Sequence, residues 1–261
     1  MFPLKDDIPT RRFPALTVAI IAVNVVMFFG FQGAFFGSDA DFNQRVVEYG
    51  AIPYEITHPG DECGTAPSGA LVCEGQAEVA GEAPDQPSTW LTILTSMFMH
   101  GGLLHIAGNM LFLWVFGNNI EDSMGKARFL AFYLGGGIAA LAAQTAFQPD
   151  AAIPTIGASG AVAAVLGGYA LLYPRARVVT LVFIVIFFTI IQLPALLVLG
   201  LWFALQAFYG LSEVVQPVGG EGGGVAYFAH IGGFVFGLVL IKLFANQADE
   251  DYERGRRTAV Y

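Results

Sequence analysis

The sequence predicts an all-α polytopic membrane protein with six transmembrane helices. Of the 261 residues, 55% are hydrophobic and only 13% are charged, and the mean hydropathy is +0.61. A soluble domain of ordinary composition is less apolar than this. Nearly uncharged runs of about 18 to 20 residues recur along the chain, long enough to cross a bilayer core as helices. We place the spans near 15–33, 103–120, 127–147, 158–173, 194–210 and 227–245.

The first predicted span follows a short basic segment. Residues 1–14 contain Arg11 and Arg12, and the apolar run then begins near Leu16. Because that run is long enough to span, we interpret it as a retained start-transfer helix behind a cytoplasmic N-terminal segment. A cleavable signal peptide is the alternative.

Residues 34–102 are predicted to form an exterior loop with an insertion at about 58–88. The insertion is rich in glycine, proline and acidic residues and contains Cys63 and Cys73. Two interpretations are open: a disulfide that stiffens the loop, or two unpaired thiols. At the end of the loop, residues 90–99 are predicted as a membrane-surface helix with Trp90 at the interface.

The stretch from Val178 to Ser212 contains no charged residue, which is too long for one crossing and short for two. Pro194 lies within it, and the part up to Ile191 is rich in β-branched residues and phenylalanine. We interpret Val178–Ile191 as an interfacial or re-entrant cytoplasmic segment that leads into the fifth span. A seventh crossing is the alternative, and it would put the basic C-terminal tail on the opposite side.

The charge distribution predicts the orientation. All 12 basic residues except Arg45 fall on one side of a six-span arrangement, so both termini are predicted to be cytoplasmic, including a tail at 246–261. Most of the 21 acidic residues lie in the opposite loops. The net charge of −9 is therefore a property of those loops and does not indicate a nucleic-acid partner.

Polar residues are predicted to meet at the exterior ends of spans 2, 4 and 6. Span 2 carries His105 and Asn109, span 4 begins at Ser159, and span 6 carries His230. Polar groups at that depth are unfavourable unless they are partnered or line a wet cavity. Their common level therefore predicts one shared site.

Ser159 and His230 are predicted to form a nucleophile and general base. An imidazole titrates near neutral pH and accepts a serine proton, and a serine at a helix start has nearby N–H groups to stabilise an oxyanion. Gly157 beside it permits close approach of chain and substrate. No carboxylate lies in the upper halves of the spans, which indicates a Ser–His dyad and not a triad.

Small residues recur at four-residue spacing on spans 4 and 6, which predicts two flat seams that bring the helices together. The two series are Gly160, Ala164 and Gly168, and Ala229, Gly233 and Gly237. Alone, such seams would do no more than hold a helical bundle together. Their place below Ser159 and His230 favours contact between the two functional groups.

His105 and Asn109 are one helical turn apart and share a face. An amide donor suits an oxyanion, and a histidine one turn away is a second donor or a substrate-orienting group. The alternative is a helix–helix hydrogen bond that serves assembly only. We interpret His100 as structural.

Together these residues resemble the rhomboid family of intramembrane serine proteases, of bacterial type, over about residues 90–245. Any one motif is weak, but four occur in the family's order. They are His105-x-x-x-Asn109, Gly117-x-x-x-Glu121-x-x-x-Gly125-x-x-Arg128, Gly157-Ala158-Ser159-Gly160 and Ala229-His230-x-x-Gly233-x-x-x-Gly237.

The resemblance implies a six-helix core with a water-accessible cavity open to the exterior, in a bacterial inner (cytoplasmic) membrane. It implies that transmembrane proteins with a single span are cleaved in or beside that span through an acyl-enzyme on Ser159. Asn109, His105 and backbone N–H groups near Gly157 and Ser159 would form the oxyanion hole. Glu121 and Arg128 would form a bracing ion pair at the cytoplasmic end.

Two positions depart from the family's pattern. Some bacterial members have a tyrosine under the histidine where this chain has Ala163, so another group must support His230. A Trp-Arg pair common in the first exterior loop is also absent.

Other classes of membrane protein fit the sequence less well. The chain has no His-Glu-x-x-His motif for zinc, and no paired aspartates lie in the spans; we expect neither a metal nor another cofactor. Inverted repeats of a transporter are not evident. A catalytically inactive rhomboid-like binding protein or chaperone is the alternative. The expected partners are transmembrane protein substrates and the lipid bilayer.

Overall fold

The computed structural model describes residues 2–84, 86–184, 187–215 and 225–245, and the predicted tail at 246–261 lies outside them. The described part is mostly helical, as predicted. Its α-helices in chain order are α1 (Ala15–Val26), α2 (Asp39–Tyr49), α3 (Pro53–Thr57), α4 (Thr89–Thr95), α5 (Leu103–Phe112), α6 (Asn118–Met124), α7 (Lys126–Phe147), α8 (Ser159–Leu172), α9 (Ala195–Val215) and α10 (Tyr227–Phe244).

Within the described residues, four helical stretches are long and apolar enough to cross a membrane, so the chain is a membrane protein. They are Leu103–Met124, where a π-helical turn joins α5 to α6, then α7, Ala195–Ser212 of α9, and α10. The apolar helices at Ala15–Phe31 and Ser159–Leu172 are shorter. The predicted number of six crossings stays a prediction.

Helix α8 packs against both α7 and α10, which also pack against each other, and almost all of its side chains are buried. The predicted seams pack as expected. A methyl group at Gly233 would collide with the carbonyl of Gly160, and one at Gly237 would collide with the carbonyl of Ala164. Glycine at positions 233 and 237 therefore allows the backbones of α8 and α10 to approach more closely than larger residues would permit.

The segment after α8 forms a β-hairpin, which the all-α prediction omits. Strands β4 (Arg177–Ile184) and β5 (Phe187–Pro194) pair antiparallel, and β1 (Phe2–Asp6) pairs antiparallel with β4. The β-branched and phenylalanine-rich sequence favours strands over helix. This part of the chain is therefore not a seventh membrane-spanning helix, and its interfacial location stays a prediction.

The loop between α1 and α5 has a small folded core of its own. Strands β2 (Cys63–Thr65) and β3 (Leu71–Cys73) pair antiparallel, and a disulfide joins Cys63 to Cys73. The cysteines pack with Ile52 and Tyr54. Further along, Trp90 on α4 is 84% exposed, which suits the predicted membrane-surface helix.

A cluster of buried polar groups fixes the N-terminal strand near the end of α8. We call Asp6, Asn119 and Tyr169 the anchor cluster. Asp6 Oδ2 accepts hydrogen bonds from Asn119 Nδ2 at 2.5 Å and from the Tyr169 hydroxyl at 2.6 Å. Burial raises the pKa of Asp6 to about 6. The cluster joins β1 to α6 and α8.

Glu121, two residues after Asn119 of the anchor cluster, also fixes the N-terminal region. Its carboxylate accepts hydrogen bonds from the backbone N–H groups of Leu16 and Thr17 and from the Thr17 hydroxyl, at 2.7–3.0 Å. Carboxylates are favourable at a helix N-terminus, and this one caps α1. Arg128 Nη1 donates to the carbonyl of Phe244 at 3.3 Å. The ion pair expected between Glu121 and Arg128 stays a prediction.

Candidate active site

Ser159 is the first residue of α8, and it follows a tight backbone turn at Gly157. Gly157 has a φ of +124°, a backbone conformation that residues other than glycine rarely adopt. A Cβ there would lie 2.7 Å from His105 Nε2 and 3.4 Å from Ser159 Oγ. Glycine is therefore required at 157 for both the turn and the space between His105 and Ser159.

The Gly157 N–H is not available as an oxyanion donor in this structure, because it donates to the Ser96 carbonyl at 2.9 Å. Among the side chains that the structure describes, none caps the N-terminus of α8. The N–H groups of its first turn, beginning with Ser159, therefore lack a capping side chain and point the positive end of the helix dipole at the site.

His230 lies in the first turn of α10, and it meets Ser159 as predicted. Its Nε2 is 2.8 Å from Ser159 Oγ, a hydrogen-bond distance. The His230 side chain is nearly buried, at 9% exposure. The close packing of α8 and α10 thus brings together two residues that are 71 positions apart.

The other nitrogen of His230 contacts a residue that the sequence analysis missed. Gln206 Oε1 on α9 lies 2.8 Å from His230 Nδ1. One turn before it, the Trp202 ring is 5.7 Å from the His230 ring and tilted by 37°. These two side chains occupy the supporting role that Ala163 cannot fill. The available signal was a lone amide in an apolar span, one turn after a tryptophan.

Gln144 on α7 is a second amide that the sequence analysis missed. Its Oε1 accepts a hydrogen bond from the Ala229 N–H at 3.1 Å, and its Nε2 donates to Gln148 Oε1 at 2.7 Å. Ala229 directly precedes His230, and the first N–H groups of a helix have no partner within the helix. Gln144 therefore fixes the start of α10 from a neighbouring helix.

His105 and Asn109 lie on α5 beside this pair, and they differ in how their polar atoms are used. His105 Nδ1 accepts a hydrogen bond from the Gly101 N–H at 3.3 Å, which leaves Nε2 on the side of Gly157. Asn109 is 7% exposed, and its Nδ2 has no hydrogen-bond partner among the described residues. An unpaired buried donor of this kind costs about 1–3 kcal/mol.

His100 is hydrogen-bonded to Gln32, which directly follows the apolar helix Ala15–Phe31, and this suits its predicted structural role. Its N–H donates to Gln32 Oε1 at 2.9 Å, and its carbonyl accepts from Gln32 Nε2 at 2.8 Å. The His100 ring lies 5.1 Å from the His105 ring. Burial, together with the neighbouring His105, lowers the pKa of His100 to about 3. His100 is therefore neutral at physiological pH.

Comparison with known proteins identifies a family over most of this region. A model of the rhomboid domain matches residues 87–247. Rhomboid protein 1, mitochondrial, of Saccharomyces cerevisiae is 30% identical over 180 residues, 67% of this chain and 48% of the yeast protein. Rhomboid protease GluP of Bacillus subtilis is 30% identical over 160 residues, 61% of this chain and 24% of GluP.

A third relative is the human presenilin-associated rhomboid-like protein, mitochondrial, which is 30% identical over 154 residues, 56% of this chain and 36% of the human protein. The chain spans less than half the length of each of these three relatives. The matches confirm the resemblance that the four sequence motifs indicated.

Proposed function

This chain belongs to the rhomboid family, and we propose that it is an intramembrane serine endopeptidase that cleaves single-pass membrane proteins in or near their transmembrane segment. One observation carries the proposal: Ser159 Oγ and His230 Nε2 lie 2.8 Å apart at the start of two packed apolar helices. A serine hydroxyl is a weak nucleophile until an adjacent base accepts its proton.

The proposed reaction has two covalent steps. In the first, Ser159 Oγ forms a bond to the carbonyl carbon of the scissile peptide while its proton moves to His230 Nε2. The C–N bond then breaks, and the leaving amine takes that proton, which gives an acyl-enzyme on Ser159. In the second, water repeats the sequence with His230 as base, and the acid product is released.

The negative charge on the carbonyl oxygen needs donors placed in advance. The unpaired Asn109 amide, the N–H groups at the start of α8 and His105 are the groups we assign to this task. Gly157 contributes space and a backbone turn to the same pocket, since its own N–H is bound to Ser96. This division refines the sequence-based assignment of Gly157 to the oxyanion hole.

The length of α8 supports chemistry below the membrane surface. Its 14 residues rise about 21 Å, less than the hydrocarbon thickness of about 30 Å. With the α8 C-terminus near one face of the bilayer, Ser159 would lie within the membrane and below the opposite face. A substrate segment would then meet the serine where a soluble protease has no access.

The charge pattern of the loops supports the remaining parts of the proposal: six crossings, cytoplasmic termini and a site open to the exterior. The named relatives include mitochondrial and Bacillus subtilis proteins, and they do not favour a bacterial inner membrane over a mitochondrial one. A catalytically inactive binding protein is disfavoured, because both reactive groups are present and in contact.

Cleavage of a defined substrate tests the proposal. The purified chain in liposomes should cleave a single-pass reporter protein within or beside its span, and Ser159→Ala should abolish cleavage. Ser123→Ala is the matched control, since it removes another buried serine hydroxyl, one bound to the Ile120 carbonyl on α6. Cleavage by Ser159→Ala at the wild-type rate would reject the proposal, as would an intact reporter with the wild-type protein.

A further inference from the structure

The proposed hydrolysis requires one particular tautomer of His230. To take the proton of Ser159 Oγ, His230 Nε2 must carry a lone pair, so the ring proton must be on Nδ1. In serine proteases with a triad, a carboxylate on Nδ1 selects that tautomer. In this chain the group at Nδ1 is the Gln206 Oε1 atom, at 2.8 Å.

We propose that Gln206 is a positioning residue that holds His230 in the Nδ1–H tautomer, with its ring aimed at Ser159. An amide oxygen accepts and does not donate, so Oε1 opposite Nδ1 is compatible only with a proton on Nδ1. The proposal rests on the proposed function for its catalytic meaning. Ser159, His230 and Gln206 then form a hydrogen-bonded series of three side chains, from α8, α10 and α9 respectively.

Packing of α9 against α10 fixes the place of Gln206. The Phe203 ring stacks on the Phe234 ring at 4.6 Å, and the Trp202 ring lies 6.1 Å from it. At Gly210 the helix passes so closely that a Cβ would lie 3.2 Å from the Tyr227 side chain. These contacts precede and follow Gln206, so its amide is presented to His230 by a helix held on both sides.

The environment explains why an amide suits this position better than a carboxylate. The other face of α9 exposes large apolar side chains, among them Leu197, Leu201 and Leu205. The stretch Ala195–Ser212 is long and apolar enough to lie in lipid. A carboxylate in such a helix would have to be desolvated or protonated, whereas an amide carries an acceptor oxygen with no charge to bury. Gln206 thus orients the histidine without a membrane-buried ion.

Three variants separate positioning from packing. Gln206→Leu keeps the volume but removes the acceptor, Gln206→Glu keeps an acceptor oxygen, and Gln192→Leu makes the same change at an exposed position on β5. We expect Gln206→Leu to lower kcat by about 10- to 100-fold with KM unchanged, the size of the loss when the hydrogen-bond partner that orients a metal-bound histidine is removed. Gln206→Glu should retain most of kcat at pH values where its carboxyl group is ionised and therefore accepts only, and Gln192→Leu should retain all of it.

The decisive readout is the 15N NMR spectrum of histidine-labelled protein in detergent. In the wild type, the His230 ring should show a protonated Nδ1 and an unprotonated Nε2. In Gln206→Leu the two tautomers should become mixed, while Gln206→Glu and Gln192→Leu keep a protonated Nδ1. If Gln206→Leu fails to fold, Gln206→Asn withdraws the oxygen by one methylene group and should give the same change.

The outcomes distinguish this inference from the proposed function. A Ser159-dependent protease whose Gln206→Leu variant keeps both kcat and the Nδ1–H tautomer would overturn the positioning role and leave the proposed function intact. A wild-type ring protonated at Nε2 would also overturn it. If the wild type cleaves no substrate, the proposed function is rejected. The 15N spectra then test the positioning role by themselves, and loss of the Nδ1–H tautomer in Gln206→Leu still supports it.

Discussion

The two ends of α8 carry polar clusters that differ in how completely their groups are hydrogen-bonded. At the end that contains Tyr169, both donors of the anchor cluster meet the Asp6 carboxylate, at 2.5 and 2.6 Å. At the end that contains Ser159, the Asn109 amide is buried with no partner among the described residues. The same helix thus begins beside a buried amide donor that lacks a partner and ends in a cluster whose two donors are both hydrogen-bonded to Asp6.

The difference indicates separate roles for the two ends. A saturated buried network stabilises the fold and specifies one packing arrangement, whereas an unpaired buried donor is unfavourable until a ligand supplies its acceptor. We therefore expect changes at the Ser159 end to reduce activity with little loss of stability. Changes at the anchor cluster should reduce stability while the folded protein remains active.

The largest expected effect is that of His230→Ala. Without the base at 2.8 Å from Ser159, cleavage of the reporter should fall by at least about 10⁴-fold, as when a triad residue is removed. Thermal unfolding in detergent should change little. His58→Ala, in the loop outside the bundle, is the matched control and should cleave normally. A His230→Ala variant that is active but unfolds at a lower temperature would show that His230 stabilises the fold and is not the catalytic base.

The next effect is at Asn109. Asn109→Ala should lower kcat by about 10²- to 10³-fold, the effect of removing one oxyanion donor. Because the Asn109 amide nitrogen has no partner in the described part of the chain, the melting temperature should stay the same or rise. Steady-state cleavage and a thermal melt of the same preparation check both statements. A loss of stability with unchanged kcat would assign Asn109 to helix assembly instead.

The anchor cluster should make stability depend on pH. The pKa of Asp6 is about 6 in the folded protein, above its ordinary value of 3.8, so the folded state binds the proton more tightly. The contribution of Asp6 is therefore greatest below about pH 4, falls by about 3 kcal/mol as the pH rises to about 6, and then levels off.

Thermal melts at several pH values, compared with those of Asp6→Asn, measure this contribution. Relative to Asp6→Asn, the wild type should lose stability between pH 4 and pH 6. Asp39→Asn, on the exposed side of α2, is the matched control and should keep the wild-type pH dependence. A wild type that gains stability over that range relative to Asp6→Asn would show that Asp6 is not held in the protonated state by burial.

The smallest effect is expected for Tyr169→Phe. This variant removes one of the two donors to Asp6 and should destabilise the fold by about 1–3 kcal/mol, as expected for an acceptor left partly unsatisfied. At temperatures well below the melting point, kcat should match that of the wild type. A Tyr169→Phe variant that is stable but has lost activity would contradict the separation of the two ends.

Much of the Ser159 end could be predicted from local patterns in the sequence. The four-residue spacing of Gly160 and Ala164, matched on the other helix by Gly233 and Gly237, indicated which helix faces meet. That packing determines the contact between Ser159 and His230. The family of the chain followed from motifs of the same local kind.

The parts that could not be predicted depend on tertiary contacts or on ambiguous patterns. Gln206 is a single amide in an apolar span, and its partner is determined only by how α9 packs. Asp6 and Asn119 are 113 positions apart and belong to no motif. The composition of Val178–Ile191 favours strands, but an apolar run of this kind is not distinguished from a buried helix by its periodicity, and the hairpin is defined by the tertiary pairing of β4 with β5.

Labelling of the serine tests the central claim most directly. The purified protein in detergent is treated with a fluorophosphonate, which reacts with activated serine hydroxyl groups, and the modified peptide is identified by mass spectrometry. We predict a single adduct on Ser159 that is absent from Ser159→Ala and strongly reduced in His230→Ala. No adduct on the wild type, or undiminished labelling of Ser159→Ala, would contradict the assignment of Ser159 as the nucleophile.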